Sequence, residues 1–221
     1  MYNLTMKDNE KDLILELLQK YKYIGFDYIE QIVLFKDMKT NIEHLPNDLN
    51  DLLDYSNNCD LCSLSKNRAL QKSGMGNIYG SIYFISNDSS VYYDNNSKKI
   101  IEHIVNDIFE FDLDDIYYTN ILKCQIFNHN VTYENEIEIC INYIFKQIDI
   151  SKPKIIFTLG DCLDHFTRIK NNILELSGNT YNYNGITIIP LVSPIFLSKN
   201  PSFKDKVYNN LKKIKSRLDN R

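Results

Sequence analysis

Four short apolar runs separated by stretches of helical length constrain this chain more than any other feature. They lie at 82–85 (IYFI), 116–121 (IYYTNI), 154–159 (KIIFTL) and 186–192 (ITIIPLV). Each is too short for a core helix, and each is nearly continuous in apolar or β-branched residues, the pattern of a strand covered on both faces. Between the first three lie helix-length segments at about 97–110 and 134–149, and a shorter one follows at about 161–175. Alternation of this kind needs crossover connections, so the strands run parallel with helices above and below them. The expected fold is a three-layer α/β/α domain with a central, mostly parallel, four-stranded sheet. Asn184-Gly185 is a two-residue hairpin signal leading into the last strand. Phe203, Val207, Leu211, Ile214 and Leu218 recur at helical spacing and make one apolar stripe along a C-terminal helix.

A chain of 221 residues with 43% hydrophobic content can build one such domain and a small appendage, but not two full domains. Residues 8–21 carry Leu13, Ile14, Leu17, Leu18 and Tyr21 at helical spacing, and a second short helix is expected at 25–35. The polar stretch 36–50, with Pro46, reads as a connector. The division drawn is therefore a helical extension, 1–50, and a main domain, 51–221. No run approaches ~18 uncharged apolar residues, which excludes a helical membrane span. The first residues lack a secretory pattern, so a cytoplasmic location is expected. The acidic, amphipathic extension is a possible surface for a protein partner.

The net charge of −4 argues against wholesale electrostatic binding to nucleic acid, yet residues 199–221 hold eight basic side chains against two acidic ones. A local basic face can bind phosphate on an acidic protein; a solvated lysine face is the plainer alternative. Five cysteines are an odd number for a disulfide framework. Cys59-x-x-Cys62 can direct two thiolates at one centre, and Cys124 and Cys140 are separated by fifteen residues. Four thiolates suit either Zn²⁺ or an iron–sulfur cluster, and spacing alone does not separate them. Scattered buried thiols are the competing reading.

Parallel strands end on one edge of their sheet, where open α/β folds bind ligands. The segments there are Ser86-Asn87-Asp88-Ser89-Ser90, Thr119-Asn120, Gly160-Asp161 and Ser193-Pro194. Their small polar side chains suit a hydrogen-bonding pocket, with Asn87, Asp88, Asn120 and Ser193 facing one cleft. Singly, each residue is equally suited to a turn or a cap.

From about residue 55 to 215, these features in order resemble the family 4, iron–sulfur, uracil-DNA glycosylases. The likeness rests on Cys59-Asp60-Leu61-Cys62, Gly74-Met75-Gly76-Asn77, Tyr118-Thr119-Asn120-Ile121-Leu122-Lys123-Cys124, Cys140, Pro153-Lys154-Ile155-Ile156 with Leu159-Gly160, and Pro194-Ile195-Phe196-Leu197. The resemblance implies a 4Fe–4S cluster on Cys59, Cys62, Cys124 and Cys140, with Cys162 free. It implies a monomer that binds uracil-containing DNA, single- or double-stranded, flips the base out and hydrolyses its glycosidic bond. By the same match Asn120 reads the edge of uracil, Leu197 or Phe196 wedges the DNA, and Lys199 and Lys204 contact phosphates.

The departures fall on the catalytic motifs. The family's Gly-Glu-x-Pro-Gly is here Ser86-Asn87-Asp88-Ser89-Ser90, so Asn87 stands at the acidic position. Asp88 becomes the candidate water-orienting carboxylate, as in another branch of the superfamily that carries an aspartate there. A base-stacking phenylalanine gives way to Tyr92 or Tyr93, and His-Pro-Ala to Ser193-Pro194-Ile195. Serine supplies no imidazole to a departing base anion. Two expectations follow: a slow glycosylase, or a family member that retains only DNA or partner binding.

Overall fold

The computed structural model describes residues 44–70, 74–88, 90–126, 128, 131–167 and 172–219. All of these belong to one unit, Val33–Arg221. The helices expected at 8–21 and 25–35 lie outside the described residues.

Among the described residues the sheet has six strands: β1 (Gly74–Gly76), β2 (Ile82–Ser86), β3 (Ile116–Asn120), β4 (Ile155–Leu159), β5 (Tyr181–Tyr183) and β6 (Ile186–Leu191), in the order β1-β3-β2-β4-β6-β5. The four expected strands form its parallel centre. Two three-residue strands add antiparallel edges, so the four-stranded expectation is extended to six. The β5–β6 edge comes from the Asn184-Gly185 turn, where both residues have positive φ, 49° and 87°. At the other edge, a Cβ on Gly74 would collide with the Tyr117 ring, and one on Gly76 with the Ile116 carbonyl. Glycine is what lets β1 lie against β3.

Alternate residues of the buried strands feed two cores. Tyr83, Ile85 and Ile156 pack with Ile144 and Phe145 of helix Glu134–Ser151. Ile82, Phe84 and Phe157 pack on the other face with Ile101, Phe109, Val207, Leu211 and Ile214. There the Phe84 and Phe157 rings stack at 4.6 Å, and Phe109 meets Phe157 edge-on at 5.2 Å. Helices on both faces give the expected three layers.

In chain order the α-helices are α1 (Leu49–Asn57), α2 (Ser90–Tyr93), α3 (Asn95–His103), α4 (Glu134–Ser151), α5 (Leu163–Phe166), α6 (Ile173–Leu176), α7 (Pro194–Lys199) and α8 (Pro201–Asp219). Within the stretch read as a connector, Asp48 accepts from the Asn50 and Asp51 amides and starts α1 at Leu49. The expected 97–110 helix continues from α3 as a π-helical turn, Ile104–Phe109, ended by Glu110 in the left-handed region. The expected 161–175 helix is instead two single-turn helices. Thr167 is extended after α5 and returns its hydroxyl to the Leu163 carbonyl, while Asn172 caps α6. The C-terminal stripe holds in α8, with Val207, Leu211 and Ile214 buried.

Candidate functional site

Strands β2, β3, β4 and β6 end together, with Ser86 opposite Asn120 and Leu159 opposite Leu191. Four of the expected residues stand at or just beyond this edge. The Ile121 and Leu122 amides donate to the Ser86 and Asn87 carbonyls, which ties the β2 loop to the end of β3. Asn87 donates through Nδ2 to Asp161 Oδ1 at 2.7 Å, bridging the ends of β2 and β4. Asp88 Oδ1 accepts from the Ser90 amide at 2.7 Å and so starts α2, while its carbonyl accepts from Ser86 Oγ at 2.6 Å. Asn120 is wholly buried, and its Nδ2 donates to the Leu122 carbonyl. That bond fixes the amide orientation and leaves the buried Oδ1 without a partner. Among the described residues, Asn87 Oδ1, Asn120 Oδ1 and Thr158 Oγ1 are buried without a hydrogen-bond partner. Three orphaned polar atoms near one sheet edge mark where a ligand's donors would be satisfied. Ser193 precedes α7 and makes no side-chain cap bond to it; its Cβ would be 3.8 Å from a Cβ built on Gly160. Tyr92 lies in α2, and its side chain and that of Tyr93 are outside what is described.

The helix after Ser193 separates the two wedge candidates. Leu197 is fully buried in the core, whereas Phe196 is 38% exposed and meets Phe203 edge-on at 5.5 Å. Leu197 therefore packs the fold, and Phe196 is the apolar side chain presented outward. The apolar pair is readable from sequence; the rotation of this short helix is not. Beside it, Asn96, Lys99, Ile100, Ser198, Lys204 and Tyr208 line a surface groove of about 300 Å³. Lys199 lies close enough to Asp94 to help hold that carboxyl below its ordinary range, after the larger effect of the Ser97 hydroxyl and amide. Lys204 and Lys99, the latter a residue the sequence pattern did not single out, line this groove, and Lys199 follows its Ser198 in α7.

The cysteines occupy the other face of the sheet. Cys124 and Cys140 are buried, and Cys59 and Cys62 half-buried. Burial pushes the Cys140 thiol up. The Lys123 main-chain N–H donates to its sulfur and opposes that rise, and Cys62 and Cys59 are near enough to add to it. The Tyr143 hydroxyl, raised first by burial, is engaged by Cys59. Cys59 and Cys62 are thus brought near Cys140 from early in the chain, and Cys124 follows directly on the residue that donates to the Cys140 sulfur. Cys162 is fully buried, its thiol pushed well up by burial and then by Asp161 and Asp164, as an inert core residue would be. Among the described residues no group of three or more His, Cys, Asp or Glu side chains is arranged to hold a metal ion.

Two contributors escaped the sequence. Asp161 follows a glycine and reads as a turn, although it holds Asn87. Lys123 is 4% exposed within the run Ile121-Leu122-Lys123-Cys124. Its Nζ donates to Thr119 Oγ1 at 2.8 Å and Gln147 Oε1 at 3.4 Å. Burial draws this ammonium down to about 7, against the pull of Cys140. A lone lysine inside an apolar run is the signal that could have found it.

A family model described as the uracil DNA glycosylase superfamily matches residues 82–212. A type-4 uracil-DNA glycosylase of Saccharolobus solfataricus is 27% identical over 190 residues, covering 79% of this chain and 88% of the relative. That of Sulfurisphaera tokodaii is 26% identical over 173 residues, 71% and 79% of the two chains. A third, from Thermotoga maritima, is 25% identical over 169 residues, 72% and 88%. The family match opens at the first residue of β2, spans the four parallel strands and their edge loops, and ends within α8; the chain belongs to the uracil DNA glycosylase superfamily.

Proposed function

We propose that this chain is a DNA-repair protein of the uracil-DNA glycosylase type, which binds DNA, flips a uracil nucleotide from the stack and hydrolyses the bond between base and sugar. The relatives' names support the substrate. The observation that carries the reading is the buried, unpartnered Oδ1 of Asn120 at the end of β3. An unsatisfied buried acceptor costs about 1–3 kcal/mol. Uracil N3–H is a donor of the kind it lacks, and the second Nδ2 hydrogen is left for the base O4. The Ser90 amide holds one oxygen of Asp88, leaving the other to orient the attacking water toward the sugar carbon. Ser193 would offer a neutral hydroxyl to the departing base. Loss of a stronger donor at such a place typically costs ~10²–10³ in rate, so a slow enzyme is expected. Tyr92 is the candidate stacking residue, Phe196 the wedge, and Lys199 and Lys204 the phosphate contacts.

Cys59, Cys62, Cys124 and Cys140 would hold a 4Fe–4S cluster. Zinc draws its sulfurs to ~2.3 Å from one point, whereas a cluster gives each thiolate its own iron and spreads them more widely. Four thiolates suit either group, and the order of the four cysteines, which resembles that of the iron–sulfur family, favours the cluster. Bound there, it would supply a crosslink between the segment after α1, the segment after β3 and α4, and its binding energy would become folding energy.

One observation favours a second reading, DNA binding without hydrolysis: Asn87, at the family's acidic position, is itself held by Asp161. A uracil-containing oligonucleotide incubated with excess protein and then treated with alkali separates the two. Cleavage that Asp88→Ala abolishes supports the enzyme. Intact single- and double-stranded substrates after long incubation, with salt-sensitive binding retained, support the second reading.

A further inference from the structure

We propose that the groove between α3, α7 and α8 is a subsite for one backbone phosphate of the DNA strand, with the Lys99 and Lys204 ammoniums as its charged donors and the Tyr208 hydroxyl as a neutral one. This rests on the reading of the chain as a DNA-binding protein of the uracil-DNA glycosylase type, and adds to it a contact on α3, outside the basic C-terminal segment.

Three observations meet in this groove. The first is its chemistry. The lining holds two lysines, an asparagine, a serine, a tyrosine and Ile100, and no carboxylate. Nearby carboxylates are bonded within their own segments. Asp94 Oδ2 accepts from the Ser97 amide and hydroxyl at 2.7 and 2.6 Å, and Asp107 Oδ2 meets His103 Nδ1 at 2.5 Å. Glu102 and Asp205 are exposed and outside the lining. Among the described residues neither Lys99 nor Lys204 has an ion-pair partner. Two such ammoniums on one concave surface attract an anion, and the phosphodiester is the anion that DNA presents.

The second is support. Ile100, Leu197 and Val207, chain neighbours of Lys99, Ser198 and Tyr208, are buried in one core. Beneath the groove α3 packs on α7, and α7 on α8. The Tyr208 ring lies against His103 at 4.7 Å, which holds its body, while the hydroxyl has no bond to another described residue. Ser198 Oγ donates to the Ile195 carbonyl at 2.8 Å, so Tyr208 and Asn96 are the neutral donors left. Donors carried on packed helices lose less freedom on binding than donors on separate loops.

The third is place. Helix α7 leaves the sheet edge that carries Asn120, directly after β6 and Ser193. From Ser193 to Ser198 the helix rises ~7.5 Å, about two base steps of a duplex. Phe196 meets Phe203, the residue before Lys204. The groove therefore adjoins the wedge candidate and lies within a few nucleotides of a base held at Asn120.

The experiment uses the full chain and oligonucleotides, single- and double-stranded, carrying one 2′-fluorinated deoxyuridine, whose glycosidic bond resists hydrolysis. One phosphate at a time is replaced by a neutral methylphosphonate, and affinity is read by fluorescence anisotropy on the form that wild type binds more tightly. Lys213→Gln is the control, because its lysine lies about 180° around α8 from Lys204. On unmodified DNA, Lys99→Gln and Lys204→Gln should each bind about five- to tenfold more weakly at ~0.1 M salt and lower the salt slope by about 1. Tyr208→Phe should bind about two- to tenfold more weakly with the slope unchanged, since a neutral donor releases no counterion. Lys213→Gln should match wild type. One methylphosphonate position near the uracil should weaken wild type and bring Lys99→Gln and Lys204→Gln level with it. Lys99→Gln binding as tightly as wild type, or the two lysines answering to different phosphates, overturns the proposal. An equal loss in Lys213→Gln also overturns it and assigns the effect to overall charge. Wild-type protein that binds neither form of DNA overturns the underlying DNA-binding reading, and the proposal with it.

Discussion

Cys140 and Asp88 are the central residues of the two candidate regions, and these regions engage their neighbours at different ranges. Around Cys140, Cys59, Cys62 and Lys123 act from far along the chain. At the carboxyl edge of the sheet, Asp88 is bonded to Ser90 and Asn120 to Leu122, each two residues away. The Asn87–Asp161 bond, with the Ile121 and Leu122 amides on the Ser86 and Asn87 carbonyls, reaches across the edge from one strand end to another. A local bond needs a turn; a distant one needs the whole fold. The cysteine region should therefore fail as a unit, while residues of the edge can be altered singly with the fold intact.

The largest effect expected from breaking this contrast is at Cys140. Cys140→Ala should abolish iron binding and cause the greatest fall in thermal midpoint, because metal binding there is folding energy. Cys162→Ala, a substitution in the same core but outside the ligand set, should keep full iron and cost about 1 kcal/mol. Equal iron content in the two variants would erase the distinction between them. At the edge, Asp88→Ala should lower uracil excision by about 10²–10⁴, the usual worth of a positioned acid or base, with iron content and thermal midpoint unchanged. Asp161→Ala, which releases Asn87, should lower kcat about tenfold on the same assay, the scale of one hydrogen bond. Adjacent residues of α7 sharpen the contrast further. Leu197→Ala should cost about 2–5 kcal/mol in chemical denaturation, whereas Phe196→Ala should leave stability within about 0.5 kcal/mol and weaken DNA binding by about 1–3 kcal/mol, as loss of a stacking contact would. The smallest effects belong to Lys199→Gln and Lys204→Gln. Each should reduce the slope of log affinity against log salt by about 1, measured by fluorescence anisotropy.

The parallel centre of the sheet was legible because continuous apolar runs of strand length leave few alternatives, and Asn184-Gly185 because its positive φ values demand such residues. The strand β1 was not, since Gly74-Met75-Gly76 has no periodicity and pairs only because the Tyr117 ring needs the space above Gly74. The end of α5 at Phe166, inside the expected 161–175 helix, shows only in the extended backbone of Thr167, which composition does not reveal. In the site, the family resemblance carried by the order of the cysteines named the candidate ligand set before any geometry was known; spacing alone left scattered thiols as an equal reading. Asp161 and Lys123 were hidden for opposite reasons. Asp161 resembles an ordinary turn residue, and Lys123 resembles a surface charge until the sheet and α4 close over it. Asn120 lay between these extremes: its type and strand-end position were readable, but its orphaned oxygen belongs to tertiary structure.

Central to the proposed function is the reading that Cys59, Cys62, Cys124 and Cys140 meet around one inorganic centre. Iron, acid-labile sulfide and zinc measured on the full chain, purified without oxygen, test it most directly. About four irons and four sulfides per chain, with a broad visible absorption, are predicted for a cluster bound by four thiolates. Colourless protein without iron, or one zinc per chain, would contradict it.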